Sequence, residues 1–186
     1  NATDMSYLNN FSSDDLITSS PAVSNGYVYI GSNDNKIYQL NATDMSYLNN
    51  FSAENSISSS PAVSNGYVYV GSWDGNIYQL NATDMSYLNN FSTKDFVFSS
   101  PAVSNGYVYV GSDDNSVYQL NATTMEYIGN YTTGEAVTSS PAVSNGYVYV
   151  GSDDNSIYQL NATTMEYIGN YTTGGAVESP PAVSNG

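Results

Sequence analysis

The sequence predicts an all-β protein, a β-propeller built from 40-residue four-stranded antiparallel blades. Three observations lead there. Pro21, Pro61, Pro101, Pro141 and Pro181 are spaced by 40 residues, so one unit recurs along all 186 residues without insertion or deletion. Each unit holds several short strand-like runs, such as "YVYVGS" with its Tyr/Val alternation, and no helical periodicity. Between the runs stand Asn, Asp, Gly and Ser, the residues that turns select. A right-handed β-solenoid also repeats, but its coils are usually shorter and its strands parallel.

Residues 101–140 serve for one unit. Asn105-Gly106, between "PAV" and "YVYV", is a type I′ hairpin turn, because both residues tolerate positive φ. "SDDN" turns the chain into a second short strand, "VYQL"; "NATT" turns it into a third, "MEYIGNY". "TSSPAV" supplies the fourth, and its proline cannot donate to a central ladder. With strands named A ("TSSPAV"), B ("YVYVGS"), C ("VYQL") and D ("MEYIGNY"), the small side chains of A belong at the axis, where blades converge. The tyrosines of B and C belong between blades, where sheets pack about 10 Å apart. Tyr69, Tyr109 and Tyr149, at mid-strand, are expected to be more buried than Tyr67, Tyr107 and Tyr147, beside the turn.

The array divides into an outer strand within 1–20, blades at 21–60, 61–100, 101–140 and 141–180, and the start of a further blade at 181–186. A D strand is expected at 5–12 and a lone A strand around 178–183. D plus A lacks the B and C strands of a blade. The missing strands are therefore expected from outside these residues, from a copy of the chain, giving a larger ring or a head-to-tail filament, or from further repeats of the same polypeptide.

Composition narrows the function. Two lysines stand against 17 acids, a formal net charge of −15, so neither nucleic acid nor membrane insertion is expected. Without Cys or His there is no thiolate chemistry and no imidazole base or ligand. The Ser and Tyr hydroxyls have no base placed to activate them, so no enzyme activity and no cofactor are expected.

"SSPAVSNGYVYVGSWDGNIYQLNATD" at 59–84 resembles the repeat of the pyrroloquinoline-quinone-type propellers, with its Pro-Ala-Val, its "vyvgs" strand, its acidic-Gly turn and its "lyaLda"-like strand. The resemblance covers every repeat. It implies a propeller and non-catalytic relatives used as scaffolds or adhesion modules at cell surfaces. The family's quinone enzymes carry a Trp beneath the cofactor, a catalytic Asp near calcium and often vicinal cysteines. This chain has no Cys, and its single Trp73 lies in a blade-edge turn. The family's glycine after the C–D turn and docking Trp near the end of D are also missing; Met125 and Met165 follow the turn. Phe11, Phe51, Phe91, Tyr131 and Tyr171 are left to hold the outer strand.

Comparison among the repeats separates two faces. "SNG" between A and B and "NAT" between C and D never change, whereas the B–C segment reads "NDNK", "WDGN", "DDNS" and "DDNS", and the D–A stretch varies throughout. In an up-and-down blade the B–C and D–A connections share one face, so variation is confined there. Twelve of the 17 acids lie in these connections, making Asp34, Asp74, Asp113, Asp114, Asp153 and Asp154 a candidate acidic face for a cation or basic peptide. A calcium site needs six or more oxygens, more than one "SDDNS" turn supplies.

Two N-x-[ST] acceptors recur, "NAT" at Asn1, Asn41, Asn81, Asn121 and Asn161, and "NFS" or "NYT" at Asn10, Asn50, Asn90, Asn130 and Asn170. Duplication copies any sequon, but "NNFS" becomes "GNYT" with the acceptor pattern intact. N-linked glycans on exposed asparagines at the outer edge are expected, in an extracellular or cell-surface protein with a structural or adhesive role.

Overall fold

Each unit forms one antiparallel sheet of four strands in chain order, and the computed structural model describes residues 9–184. Blade one holds β1 (Ala22–Ser24), β2 (Tyr27–Gly31), β3 (Lys36–Asn41) and β4 (Tyr47–Ser52). Blade two holds β5 (Ala62–Ser64), β6 (Tyr67–Gly71), β7 (Asn76–Asn81) and β8 (Tyr87–Ser92). Blade three holds β9 (Ala102–Ser104), β10 (Tyr107–Ser112), β11 (Ser116–Asn121) and β12 (Tyr127–Thr132). Blade four holds β13 (Ala142–Ser144), β14 (Tyr147–Ser152), β15 (Ser156–Asn161) and β16 (Tyr167–Thr172). The Asn-Gly turns are as read from sequence, with φ of 50° at Asn105 and 81° at Gly106. The family's glycine position is taken by methionines at positive φ, 58° at Met85, whose side chain is buried between blades.

The innermost strand is shorter than "TSSPAV". Only Ala-Val-Ser pairs with strand B, as in Ala102 opposite Tyr109 and Ser104 opposite Tyr107. The preceding Ser-Pro has another task, because its hydrogen bonds run between blades. The Ser20 N–H donates to the Ser60 hydroxyl, Ser60 to Ser100 and Ser100 to Ser140, at 2.8, 2.8 and 2.9 Å. β1, β5, β9 and β13 accordingly contact one another in series at the axis.

Among the described residues of the two ends no strand is formed: residues 9–12 and 178–184 carry none. Residues 5–8 of the expected D strand, and Asn1, lie outside the described residues. Residues 9–11 nevertheless take a strand-D place against blade one. Phe11 rests on Tyr38 at 4.8 Å between centroids, as Phe51 does on Tyr78 at 4.9 Å.

The core is three copies of one interface. Tyr29, Ile37 and Ile57 pack against Val68, Val70, Tyr78, Leu80 and Met85 of the next blade, and the pattern recurs between blades two and three and between three and four. Tyr69 and Tyr109 are 1% exposed, and their hydroxyls donate across the interface to the carbonyls of Ala122 and Ala162. Tyr67 and Tyr107 are only half-buried, as expected. Tyr149, like Tyr147, is half-buried and lacks the full burial of Tyr69 and Tyr109. At the rim, Phe51, Phe91 and Tyr131 each stack on the first tyrosine of the next outer strand, so the rim aromatics do tie outer strands together.

Candidate functional site

Backbone hydrogen bonds place the two kinds of connection on opposite faces. The Ala42 N–H donates to the Gly26 carbonyl, joining C–D to A–B turns, and Asn33 donates to Leu16, joining B–C turns to D–A connections. The variable segments thus share one face.

On that face the six candidate acids have two different roles. Asp34, Asp74, Asp114 and Asp154, the second residue of each B–C turn, are latches. Asp154 accepts from the Gly134 N–H at 2.8 Å, the Tyr158 hydroxyl at 2.6 Å and the Ser156 N–H at 3.0 Å. Asp34 accepts equivalently from Asp14, Tyr38 and Lys36, Asp74 from Glu54, Tyr78 and Asn76, and Asp114 from Lys94, Tyr118 and Ser116. Burial would raise the Asp34 and Asp154 carboxyls, but these donors outweigh it and hold both below the usual carboxylate range. The partner hydroxyls move the other way: burial, then the bond to the carboxylate, pushes Tyr118 and Tyr158 up to about 12. Four of the six acids are thus spent on joining each turn to the preceding connection.

The first residue of each turn, Asn33, Trp73, Asp113 or Asp153, faces residue 18, 58, 98 or 138. Thr18 donates to Asn33, Trp73 to Ser58 and Thr138 to Asp153. At Asp113 the opposing residue is Phe98, which donates nothing and packs on Trp73 at 4.7 Å instead. Asp113 Oδ1 is left buried without a partner. Burial, then the nearby Asp95, Asp153 and Asp114, raises its carboxyl to about 6. The folded state therefore binds a proton more tightly than the unfolded chain, whose aspartates titrate near 3.9. Stability falls as pH rises from about 4 to about 6. Asp113→Asn is expected to stabilise the fold at pH 7 by about 1 kcal/mol, the shift being discounted for solvent screening. The gain should vanish near pH 4, which urea unfolding at the two pH values checks.

Trp73, Phe96 and Phe98 form the one aromatic group of this face among the described residues. Ring centroids are 4.7 to 6.3 Å apart, and Trp73 and Phe96 wall a cleft of about 190 Å³ beside Asp74, Lys94 and Asp95. The group was not among the residues expected to form a site. Its signal was that the other repeats place Asn or Asp, Leu, Ser or Ala, and Thr, Ser or Glu at these positions. No group of three His, Cys, Asp or Glu side chains that could hold a metal occurs among the described residues.

On the opposite face and the rim lie the sequons, and the expected exposure holds for some and fails for others. Asn10, Asn130 and Asn170 are exposed, while Asn50 and Asn90 are half-buried. Asn41, Asn81, Asn121 and Asn161 are half-buried too, because their Oδ1 atoms accept from the N–H two residues on, Thr43 at 2.7 Å for Asn41, and cap the C–D turn. "NAT" thus has a structural reason to recur. The outer-strand sequons have a different environment. Tyr47, Tyr87, Tyr127 and Tyr167, about half exposed, hydrogen-bond the sequon asparagine three residues on, at 3.0, 2.8, 2.7 and 2.7 Å. Beside them Leu48, Leu88, Ile128 and Ile168 are also exposed, at the bulge in each outer strand.

A family model described as outer membrane protein assembly factor BamB matches residues 9–88 and 90–167. The chain belongs to this family. The PQQ-like repeat resemblance of the sequence is thereby shown, and the BamB-type propeller scaffold with it. The crystal structure of BamB from Moraxella catarrhalis superposes with a TM-score of 0.81 at 16% identity, over 91% of this chain and 56% of that one. The crystal structure of the computationally designed Ika8 protein superposes with a TM-score of 0.85 at 17% identity, over 96% of this chain and 56% of that one. At these identities the likeness shows the all-β propeller fold, and the chain spans little more than half of either protein. No curated protein sequence matches it.

Proposed function

We propose that the chain is a non-catalytic scaffold module of a cell-surface or extracellular glycoprotein, with a structural or adhesive role, whose outer rim carries N-linked glycans. One observation carries this reading. In all four blades an exposed tyrosine touches the sequon asparagine of the outermost strand, beside an exposed Leu or Ile. A sugar at that asparagine lies over the tyrosine ring and covers apolar surface that otherwise faces water. The absence of His and Cys from the sequence, and the commitment of four turn acids to internal bonds, support a structural role over a chemical one.

Changing Ser52, Ser92, Thr132 and Thr172 to Ala removes these four acceptors. Expressed in a glycosylating host, this variant should lose most of the glycan mass of the parent, because the "NAT" asparagines are held in their turns. It should also aggregate more readily. A variant with undiminished glycan mass contradicts the rim assignment.

A second reading rests on the aromatic cleft: Trp73, Phe96 and the neighbouring carboxylates suit a basic peptide side chain. Loss of binding in Trp73→Ala, with the rim variant unaffected, distinguishes it.

A further inference from the structure

We propose that the cleft at Trp73 is an arginine pocket: a basic segment of a partner protein lays one guanidinium against Trp73 and Phe96 and bonds it to the Asp95 carboxylate. The proposal rests on the aromatic-cleft reading and deepens it by naming the side chain that enters and the groups that hold it.

The cleft is where the repeats depart from one another together. Trp73 and Gly75 stand in a turn that elsewhere has Asn or Asp at the first of these positions and Asn at the second. Phe96 and Phe98 stand in a connection that elsewhere has Leu, Ser or Ala at the first position and Thr, Ser or Glu at the second, and Lys94 replaces Asp, Glu or Gly. The turn and the connection are separate segments, yet the fold brings these departures to one place, between blades two and three. Substitutions unrelated to one another would scatter over the array.

Each departure has a physical effect there. Trp73 is fixed by the Phe98 ring at 4.7 Å and by the bond from its Nε1 to the Ser58 hydroxyl at 2.7 Å. Phe96 is 43% exposed, and its ring plane inclines to that of Trp73 by only 31°, with centroids 6.3 Å apart, so a flat group lies against both. Gly75, at φ of 84°, leaves the space between them open: a Cβ there would stand 3.2 Å from the Asp95 carbonyl oxygen. The resulting cleft of about 190 Å³ has room for the end of one long side chain.

Charge decides which side chain. Asp74 is spent on its three donors, but Asp95 is exposed, and only its Oδ1 is engaged, accepting from the Phe96 N–H at 2.9 Å. Beyond Phe96 the Asp113 N–H donates to the Phe96 carbonyl at 2.9 Å, and Asp113 lies near Asp95, Asp114 and Asp153. Against these acids stands Lys94, exposed and without an ion pair among the described residues. The site therefore favours a cation. A guanidinium is flat and weakly hydrated, so it stacks on the rings while its N–H fork donates to the carboxylate; an ammonium is compact, keeps its water and does neither as well. A neutral sugar also stacks on an indole, but it gains nothing from the surrounding acids.

Trp73 is the one tryptophan of the sequence, so its fluorescence reads occupancy directly. The probes are blocked Gly-Ser-X-Ser-Gly peptides with arginine, lysine or uncharged citrulline at X, titrated into the 186-residue chain at low salt, with N-acetylglucosamine as the neutral sugar. The arginine peptide should bind about three- to tenfold more tightly than the lysine peptide, with citrulline and the sugar weaker still. Lys94→Glu, which installs the residue of the preceding repeat at Glu54, should tighten the arginine peptide about two- to fivefold. Asp113→Asn, expected to stabilise the fold at pH 7, should weaken it by a similar factor, so its effect is not one of misfolding. Citrulline or the sugar binding as tightly as arginine, or Lys94→Glu weakening the arginine peptide, overturns the proposal. Equal binding of the arginine and lysine peptides overturns the arginine pocket and leaves the basic-side-chain reading standing; no binding by any peptide overturns both.

Discussion

Tyr69→Ala should lower the unfolding free energy by about 3 to 5 kcal/mol, the range of large aromatic deletions in cores. Tyr69 is 1% exposed, packs against Val108, Val110 and Leu120 of the next blade, and donates its hydroxyl to the Ala122 carbonyl. Truncation leaves a cavity between two sheets and a buried carbonyl with one donor fewer. Tyr69→Phe isolates the second effect, about 1 kcal/mol for a lost hydrogen bond. Tyr149→Ala, the same substitution on the half-buried face of blade four, should cost under half as much in the monomer. Urea unfolding of the three variants gives the comparison. Equal losses at Tyr69 and Tyr149 would mean that packing between blades does not dominate stability.

Gly111→Ala should be the second costly change, about 3 kcal/mol, the upper range for overpacking a filled core. A Cβ at Gly111 would stand 2.4 Å from the Val137 carbonyl oxygen and 2.5 Å from Val137 Cγ1. The carbonyl belongs to a connection pinned by the Val137 N–H bond to Ser112, so it cannot retreat without breaking the link between blades. Gly169→Ala is the control: nothing lies within 4 Å of the added carbon, and its effect should stay within about 0.5 kcal/mol. Thermal unfolding of the two variants side by side decides whether the close approach at Gly111 is a constraint.

These residues also show what could be read without coordinates. The Asn105-Gly106 turn, the order of the four strands and the burial of Tyr69 and Tyr109 follow from local chemistry and a 40-residue period, and all are present in the structure. The demand on Gly111 was not legible, because the atoms that exclude a side chain lie 26 residues away, in the connection to the next blade. Nor was the division of the acids. Asp113 and Asp114 are adjacent and chemically identical, yet Asp113 Oδ1 has no partner, residue 98 being Phe where the next repeat has the donor Thr138, and Asp114 accepts from Lys94 and Tyr118. The "NAT" asparagines were read as exposed acceptors, while their capping bonds depend on how the C–D turn folds. Tyr149 is half-buried where Tyr69 and Tyr109 are buried; its exposure depends on what lies over it, which periodicity alone does not record.

The most direct test of the surface-scaffold account is site-resolved mass spectrometry of glycopeptides from the native protein, with occupancy compared between the two sequon classes. The account predicts sugars at Asn50, Asn90, Asn130 and Asn170, with Asn41, Asn81, Asn121 and Asn161 modified less. Unmodified asparagines at all four outer-strand sites would contradict it.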